Sequence, residues 1–192
     1  FYEETIKGDL LEGTGSVRKI NVKEEYFKAI KDGLEFGNKR IKAVLDPGNG
    51  TTSIILKDLY SMFPIDFTII NGESDGTFPN HHPDPSIEAN LEQLKAKVLE
   101  TGADIGVSFD GDGDRVGVIT NEGKFLPCDY YMILIIRDII DKVKNKTFLY
   151  DVKCSKSLED EIIKLGGSPV CYRTGNSYTR SRVAELDMPF GG

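Results

Sequence analysis

Apolar residues in this chain follow two alternating periods, and the changes of period mark out its elements. Val22, Tyr26, Ile30 and Leu34 recur at every fourth position, the spacing of an amphipathic helix. Residues 41–45 form a short strand-like run halted by Asp46-Pro47-Gly48-Asn49-Gly50, and a helix is predicted from about Thr51 to Tyr60. Residues 66–70 read as a second strand, leading into a long polar loop over 71–83. Asp84 is then placed to cap, and Pro85 to start, a helix with the stripe Ile87, Leu91, Leu94 and Val98, ended by Thr101-Gly102. Strands over 105–109 and 116–120 flank a tight polar loop, residues 110–115. After the turn Asn121-Glu122-Gly123-Lys124 the alternation restarts with a helix over 128–143, apolar nearly all round and so expected to be buried. A strand over 147–150 and a helix over 157–165, ended by Gly166-Gly167, follow. A strand over 168–172 then leads through Thr174-Gly175-Asn176-Ser177-Tyr178 into a helix running to about Leu186. Residues 1–20 show no clear period and predict an extended lead-in; Met188 to Gly192 read as a turn without a strand or helix.

Strands alternating with helices predict an α/β fold: two consecutive three-layer α/β/α domains with mostly parallel mixed sheets, the second truncated. The expected division is a lead-in at 1–20, a first domain at 21–122 and a second at 123–192. Ligands of such sheets gather at the C-terminal ends of strands, and residues 110–115 occupy such a position.

Composition narrows the picture. At 192 residues, 39% hydrophobic and 29% charged, the chain fits a soluble globular protein of one or two domains. A net charge of −7 with no basic stripe argues against a nucleic-acid partner. Cys128, Cys154 and Cys171 are odd in number and match no C-x-x-C spacing, so a reduced, cytoplasmic setting is expected rather than a disulfide framework or zinc site. The longest apolar run, 130–136, is too short for a membrane span and is bounded by Asp129, Arg137 and Asp138. Because the chain opens on Phe1 and closes on a turn, a fragment of a longer protein is expected.

The chemistry concentrates at 110–115. Asp110, Asp112 and Asp114 stand at alternate positions, which in an extended backbone point to one side, and Gly111 and Gly113 let the chain curl around a bound group. Two like charges ~4 Å apart cost roughly 4 kcal/mol at an effective dielectric of ~20, so a cation is the natural relief. Oxygen ligands favour Mg²⁺ or Ca²⁺, and so few carboxylates leave positions for water or phosphate, as Mg²⁺ prefers. A solvated acidic hairpin tip is the plain alternative. An EF-hand needs Gly at its sixth position and Glu at its twelfth, where this chain has Arg115 and Asn121. A haloacid-dehalogenase motif, D-x-D-x-[TV], is broken by Asp114. His81 and His82 invite a metal reading, yet adjacent loop side chains diverge and no further His is available, so a rigid proline-set loop near the acidic loop is expected instead. The turn at 46–50 could bind phosphate at a helix N-terminus, but it is neither G-x-G-x-x-G nor a Walker loop, and a strand-to-helix turn is the simpler reading.

Six motifs then fall in one order. They are Asp46-Pro47-Gly48-Asn49-Gly50, Phe78–Pro85, Asp110–Arg115, Tyr150–Ser155, Arg173–Ser177 and Pro189–Gly192. Together they resemble the α-D-phosphohexomutases, and Phe-Pro-Asn-His-His-Pro-Asp-Pro resembles their phosphomannomutase/phosphoglucomutase branch. The resemblance implies four domains around a cleft, of which this chain corresponds to domain 2 and most of domain 3, with domains 1 and 4 of the same chain as missing partners. It implies an isomerase-type phosphotransferase that interconverts hexose 1-phosphate and hexose 6-phosphate through a phosphoserine and a hexose 1,6-bisphosphate. Asp110, Asp112 and Asp114 would hold one Mg²⁺, and Arg115 would contact the phosphoserine or transferred phosphate. Lys153 would face the sugar as a catalytic candidate, assisting proton transfer or holding substrate oxygens, against the alternative of a solvated surface lysine. Arg173, Asn176 and Ser177 are further substrate-binding candidates, with a structural role as the competing reading for Arg173 and Ser177. Asn176 departs from the family's usual His: it can hydrogen-bond a hydroxyl but cannot exchange a proton near neutral pH. Without the domain 1 serine, the 192 residues alone are expected to be inactive. A non-catalytic Mg²⁺- or sugar-phosphate-binding module is the alternative from a different class.

Overall fold

The computed structural model describes residues 2–8 and 13–192. The chain divides into two compact units, residues 1–37 and 38–192. The first holds α1 (Tyr2–Lys7) and α2 (Lys23–Asp32). Helix α1 corrects the extended lead-in expected there; residues 1 and 9–12 of that expectation lie outside the described residues. It buries no side chain, so it leaves no apolar stripe, and Glu3, Glu4 and Lys7 instead match the helix dipole. In α2 the buried residue is Phe27, while Val22, Tyr26 and Leu34 of the predicted stripe are about half exposed.

The second unit begins with β1 (Ile41–Asp46), α3 (Ser53–Tyr60), β2 (Ile65–Ile69), α4 (Glu92–Thr101), β3 (Ile105–Phe109), β4 (Val116–Thr120) and β5 (Phe125–Leu126). It continues through α5 (Cys128–Ile139), β6 (Thr147–Asp151), α6 (Lys156–Lys164), β7 (Ser168–Tyr172), α7 (Asn176–Glu185) and β8 (Phe190–Gly191). Its first sheet has the order β2-β1-β3-β4-β5, with β2, β1 and β3 parallel and β4 and β5 antiparallel. The second has the order β7-β6-β8 and is parallel throughout.

Strand β1 is central because both its faces are covered. Val44 packs with Leu91, Leu94, Val98 and Ile119 beneath α4, whereas Ala43 and Leu45 pack with Leu56 of α3 on the other face. Successive strand side chains point to opposite faces, so one apolar run feeds two cores. Each fully buried Leu or Val there contributes about 1.5–3 kcal/mol. Helix α4 lies so close to β3 that a Cβ on Gly106 would come within 2.7 Å of Val98 Cγ2. A third core joins Met132, Ile133 and Ile136 of α5 to Phe148 of β6 and to Leu158 and Ile162 of α6.

Several expectations are corrected. No regular helix starts at Pro85: Ile87 is extended, a 3-10 turn occupies Glu88–Leu91, and α4 follows. The Asp84 carboxylate accepts from the Ser86 N–H and hydroxyl, spending its capping capacity two residues away. Helix α5 is not buried all round, since Leu134 and Ile135 on its outer side are exposed. The final stretch is not a bare turn, because β8 pairs with β6 in the register Phe148↔Phe190 and Leu149↔Gly191. Past the turn at 121–124, β5 pairs with β4, which carries the first sheet on to Leu126. No helix among the described residues is long and apolar enough to cross a membrane.

Candidate metal and phosphate site

The acidic loop closes the β3–β4 hairpin beyond the Phe109↔Val116 pair, where the Asp110 N–H donates to the Arg115 carbonyl. Asp110 is 1% exposed and organises the loop. Its Oδ1 accepts from the Gly113 N–H at 2.9 Å and the Arg115 N–H at 3.0 Å, and its Oδ2 accepts from Arg115 Nε at 2.8 Å. Gly113 has φ +81°, and a Cβ there would collide with Thr52 Cγ2. The carboxylates therefore converge through a turn wrapped around Asp110, which replaces the strand alternation expected from sequence. One oxygen from each of Asp110, Asp112 and Asp114 lies within 4.8 Å of the others, with Asp112 and Asp114 exposed. The turn after β1 supports the loop from below: Thr51 donates through N–H and hydroxyl to the Gly111 carbonyl. Gly50 passes so close that a Cβ would stand 2.7 Å from that oxygen. This contact favours the strand-to-helix role of residues 46–50.

The electrostatics suit a cation. Burial opposes charge on Asp110, but the N–H and guanidinium of Arg115 outweigh it and hold the carboxyl below the ordinary range. Asp114 is pushed up by its hydrogen bond with Asp110 and by the neighbouring Asp112 and Asp110 charges. The donor set is oxygen only, which fits a hard divalent ion such as Mg²⁺.

Arg115 is held from a second side, donating from Nη1 to Asp84 Oδ1 at 3.1 Å. Bonds from the Ser86 hydroxyl and N–H keep the Asp84 carboxyl below its ordinary range, with Arg115 adding to the effect. The loop carrying Asp84 is anchored by His81, whose Nε2 lies 3.0 Å from Oδ2 of the fully buried Asp46 and whose Nδ1 lies 3.0 Å from the His82 carbonyl. Both partners are acceptors, so the doubly protonated ring satisfies them; the bond to Asp46 raises the His81 pKa against the opposing effect of burial. Gly48 N–H and Asn71 Nδ2 donate to the other Asp46 oxygen. Both His81 nitrogens are thus engaged without a metal. Phe78 and Pro83 sit against Gly111, as expected of a rigid loop beside the acidic one.

Arg115 and Asp114 face a pocket of about 560 Å³ that also takes Pro85, Tyr131 and Lys153 into its lining. A neighbouring pocket of about 700 Å³ shares Tyr131 and Lys153 and adds Asp129, Asp151 and Gly192. The structure thus brings Asp110, Asp112, Asp114, Arg115 and Lys153 to one region. Arg173, just after β7, and Asn176 and Ser177, in the first turn of α7, are exposed and line neither pocket. The Arg173 guanidinium stacks 3.4 Å from the Tyr178 ring centroid. Sequence reasoning missed Asp46 and Asp84, which hold His81 and Arg115, and Asp129 and Asp151, which line the second pocket. Asp46 and Asp151 both end strands within recognised motifs, and that position was the available signal.

The family model described as phosphoglucomutase/phosphomannomutase, alpha/beta/alpha domain II, matches residues 24–123, and that for domain III matches residues 127–192. A phosphomannomutase/phosphoglucomutase of Pseudomonas syringae pv. tomato is 40% identical over 191 residues, covering 100% of this chain and 41% of the relative. A phosphoglucomutase of Neisseria meningitidis is 34% identical over 178 residues, covering 93% of this chain and 38% of the relative. A solved phosphoglucomutase/phosphomannomutase family protein from Burkholderia thailandensis superposes with a TM-score of 0.92 at 31% identity, covering 100% of this chain and 42% of that one. The chain spans about two-fifths of the length of these relatives. With both domain models matched in order, across the acidic loop and the Lys153 turn, the chain belongs to the phosphoglucomutase/phosphomannomutase family of enzymes.

Proposed function

We propose that these 192 residues supply the metal loop and one wall of the sugar-phosphate site of a cytoplasmic phosphomannomutase/phosphoglucomutase, which interconverts hexose 1-phosphate and hexose 6-phosphate. The observation that supports it most is the convergence of Arg115, locked by the buried Asp110, with Lys153 on one pocket beside three clustered carboxylates. The names of the relatives support the substrate class.

Asp110, Asp112 and Asp114 would hold one Mg²⁺, with Asp110 held in place by the Gly113 and Arg115 N–H groups. When bound, the ion neutralises charge on the transferring phosphoryl group. Arg115 gives Nε to Asp110 and Nη1 to Asp84, which fixes the plane of the guanidinium and leaves its other N–H donors for phosphate oxygens. Lys153, with 72% of its side chain exposed, is free to reach substrate oxygens across the pocket. Arg173, Asn176 and Ser177 would contact the sugar from the adjacent β7–α7 junction and the first turn of α7. The phosphoserine donor and the hexose 1,6-bisphosphate would come from outside these residues, so the chain alone is proposed to be inactive.

The test uses the longer protein in a coupled assay for glucose 6-phosphate formation from glucose 1-phosphate. Removing one metal ligand with Asp112→Asn forfeits several kcal/mol of charge stabilisation, so turnover falls by roughly a hundredfold or more. Near-normal activity would refute the metal assignment. Turnover by the 192 residues alone would refute the division of labour, and a longer protein that binds Mg²⁺ without turnover would favour a binding module.

A further inference from the structure

Lys153 stands on a turn that carboxylates from two elements hold at its ends. Asp151, the last residue of β6, accepts through Oδ1 from the Lys153 N–H at 2.8 Å and from the Thr174 hydroxyl at 2.8 Å. The first bond sets the turn itself, and the second ties it to the β7–α7 junction, which carries Arg173 and leads into Asn176 and Ser177 at the start of α7. The Asp151 N–H donates to the Gly192 carbonyl at 2.8 Å, so the residue is also pinned to the segment just past β8. At the far end, Oδ2 of Asp129, a carboxylate buried in the first turn of α5, accepts from the Ser155 N–H at 3.0 Å. The Val152 N–H donates to Tyr172 and the Cys154 N–H to Asp151, so the turn is held throughout.

The direct charge contact is weak by comparison. Lys153 Nζ is 4.0 Å from Asp151 Oδ2 and largely exposed, and exposed pairs of this kind contribute about 0–1 kcal/mol. What Asp151 controls is the backbone from which the lysine projects. A flexible amine on a mobile turn must be ordered each time a substrate binds, and that cost falls on affinity.

We infer that Asp151 is a positioning residue: it fixes where Lys153 stands and couples the Lys153 turn to the Thr174 turn, so that both meet the sugar phosphate in one register. This rests on the mutase reading above, and the experiment separates the two. Amide hydrogen exchange on the 192-residue chain reads the clamp without any activity. In Asp151→Ala the Lys153 amide should exchange at least roughly tenfold faster, while Asp151→Asn, whose amide oxygen can accept both bonds, should keep the protection. Asp129→Ala should deprotect Ser155 and leave Lys153 less affected.

Kinetics of the longer protein read the consequence. Asp151→Ala should raise KM for hexose 1-phosphate roughly tenfold with a smaller change in kcat, and Asp151→Asn should restore it to within roughly threefold. On a Lys153→Ala background, Asp151→Ala should raise KM clearly less than it does in the wild type, because the part of its effect that passes through Lys153 is already gone. Unchanged Lys153 protection in Asp151→Ala overturns the clamp. Equal KM effects with and without Lys153 overturn the positioning role. A wild-type protein without mutase activity overturns the functional reading, while the exchange result still decides the clamp.

Discussion

Removing the His81 ring by His81→Ala takes the cationic partner from Asp46, which is 0% exposed and keeps only the Gly48 and Asn71 donors. Breaking a buried pair on one side costs roughly 3–5 kcal/mol, and the two surviving donors place the loss near the lower end. The cost depends on pH. Because the folded His81 pKa lies above its unfolded value, its stabilisation is fully present below about pH 6.5 and is lost as pH rises through the raised value. Urea unfolding followed by circular dichroism measures both effects. At about pH 6, a loss of ~3 kcal/mol moves the midpoint down by roughly 1–3 M for an m-value of ~1–3 kcal/mol/M. At about pH 9 the gap between wild type and variant should narrow. The loop also carries Phe78 and Pro83 against Gly111 and Asp84 onto Arg115, so divalent-ion affinity should fall with stability. A midpoint shift below ~0.3 M at pH 6, or a gap independent of pH, would refute a buried imidazolium as the anchor of this loop.

Gly113→Ala forces a side chain into φ +81° and against Thr52, so a loss of about 1–3 kcal/mol in thermal unfolding and weaker Mn²⁺ binding are expected; Thr52→Ala should relieve the clash but not the backbone strain. Arg115→Lys replaces a fork held by Asp110 and Asp84 with a point charge, and kcat/KM of the longer protein should drop by at least roughly tenfold in the coupled assay. Leu94→Ala in the first core should cost about 2–5 kcal/mol in urea unfolding, whereas Leu134→Ala on the exposed side of α5 should change stability by less than about 0.5 kcal/mol.

The strands about the site were legible because β1 and β3 are apolar runs ended by polar turns, and the clustering of the three aspartates was legible from their close spacing. What organises that site was not, because its contacts join residues far apart in the chain. Asp46 meets His81 across 35 positions and Arg115 meets Asp84 across 31. Nothing local to His81 distinguishes an imidazolium bound to a buried carboxylate from a metal ligand. Asp84 looked like a helix cap because the sequence signal for a cap and for a bond to Ser86 is the same. Helix α5 misled for a related reason: a helix apolar nearly all round shows which faces could be buried, not which face meets a partner, and the outer residues Leu134 and Ile135 stay exposed. The two-residue strand β8 exists only through its pairing with β6, which leaves no periodic trace.

The most direct test of the metal site is paramagnetic broadening by Mn²⁺ titrated into the ¹⁵N-labelled chain. Amides of residues 110–115 should broaden first and saturably, Mg²⁺ should reverse the effect, and combined Asp112→Asn and Asp114→Asn should abolish it. Broadening centred on another acidic stretch, or unchanged in the double variant, would contradict the assignment of Asp110, Asp112 and Asp114 as the ligands.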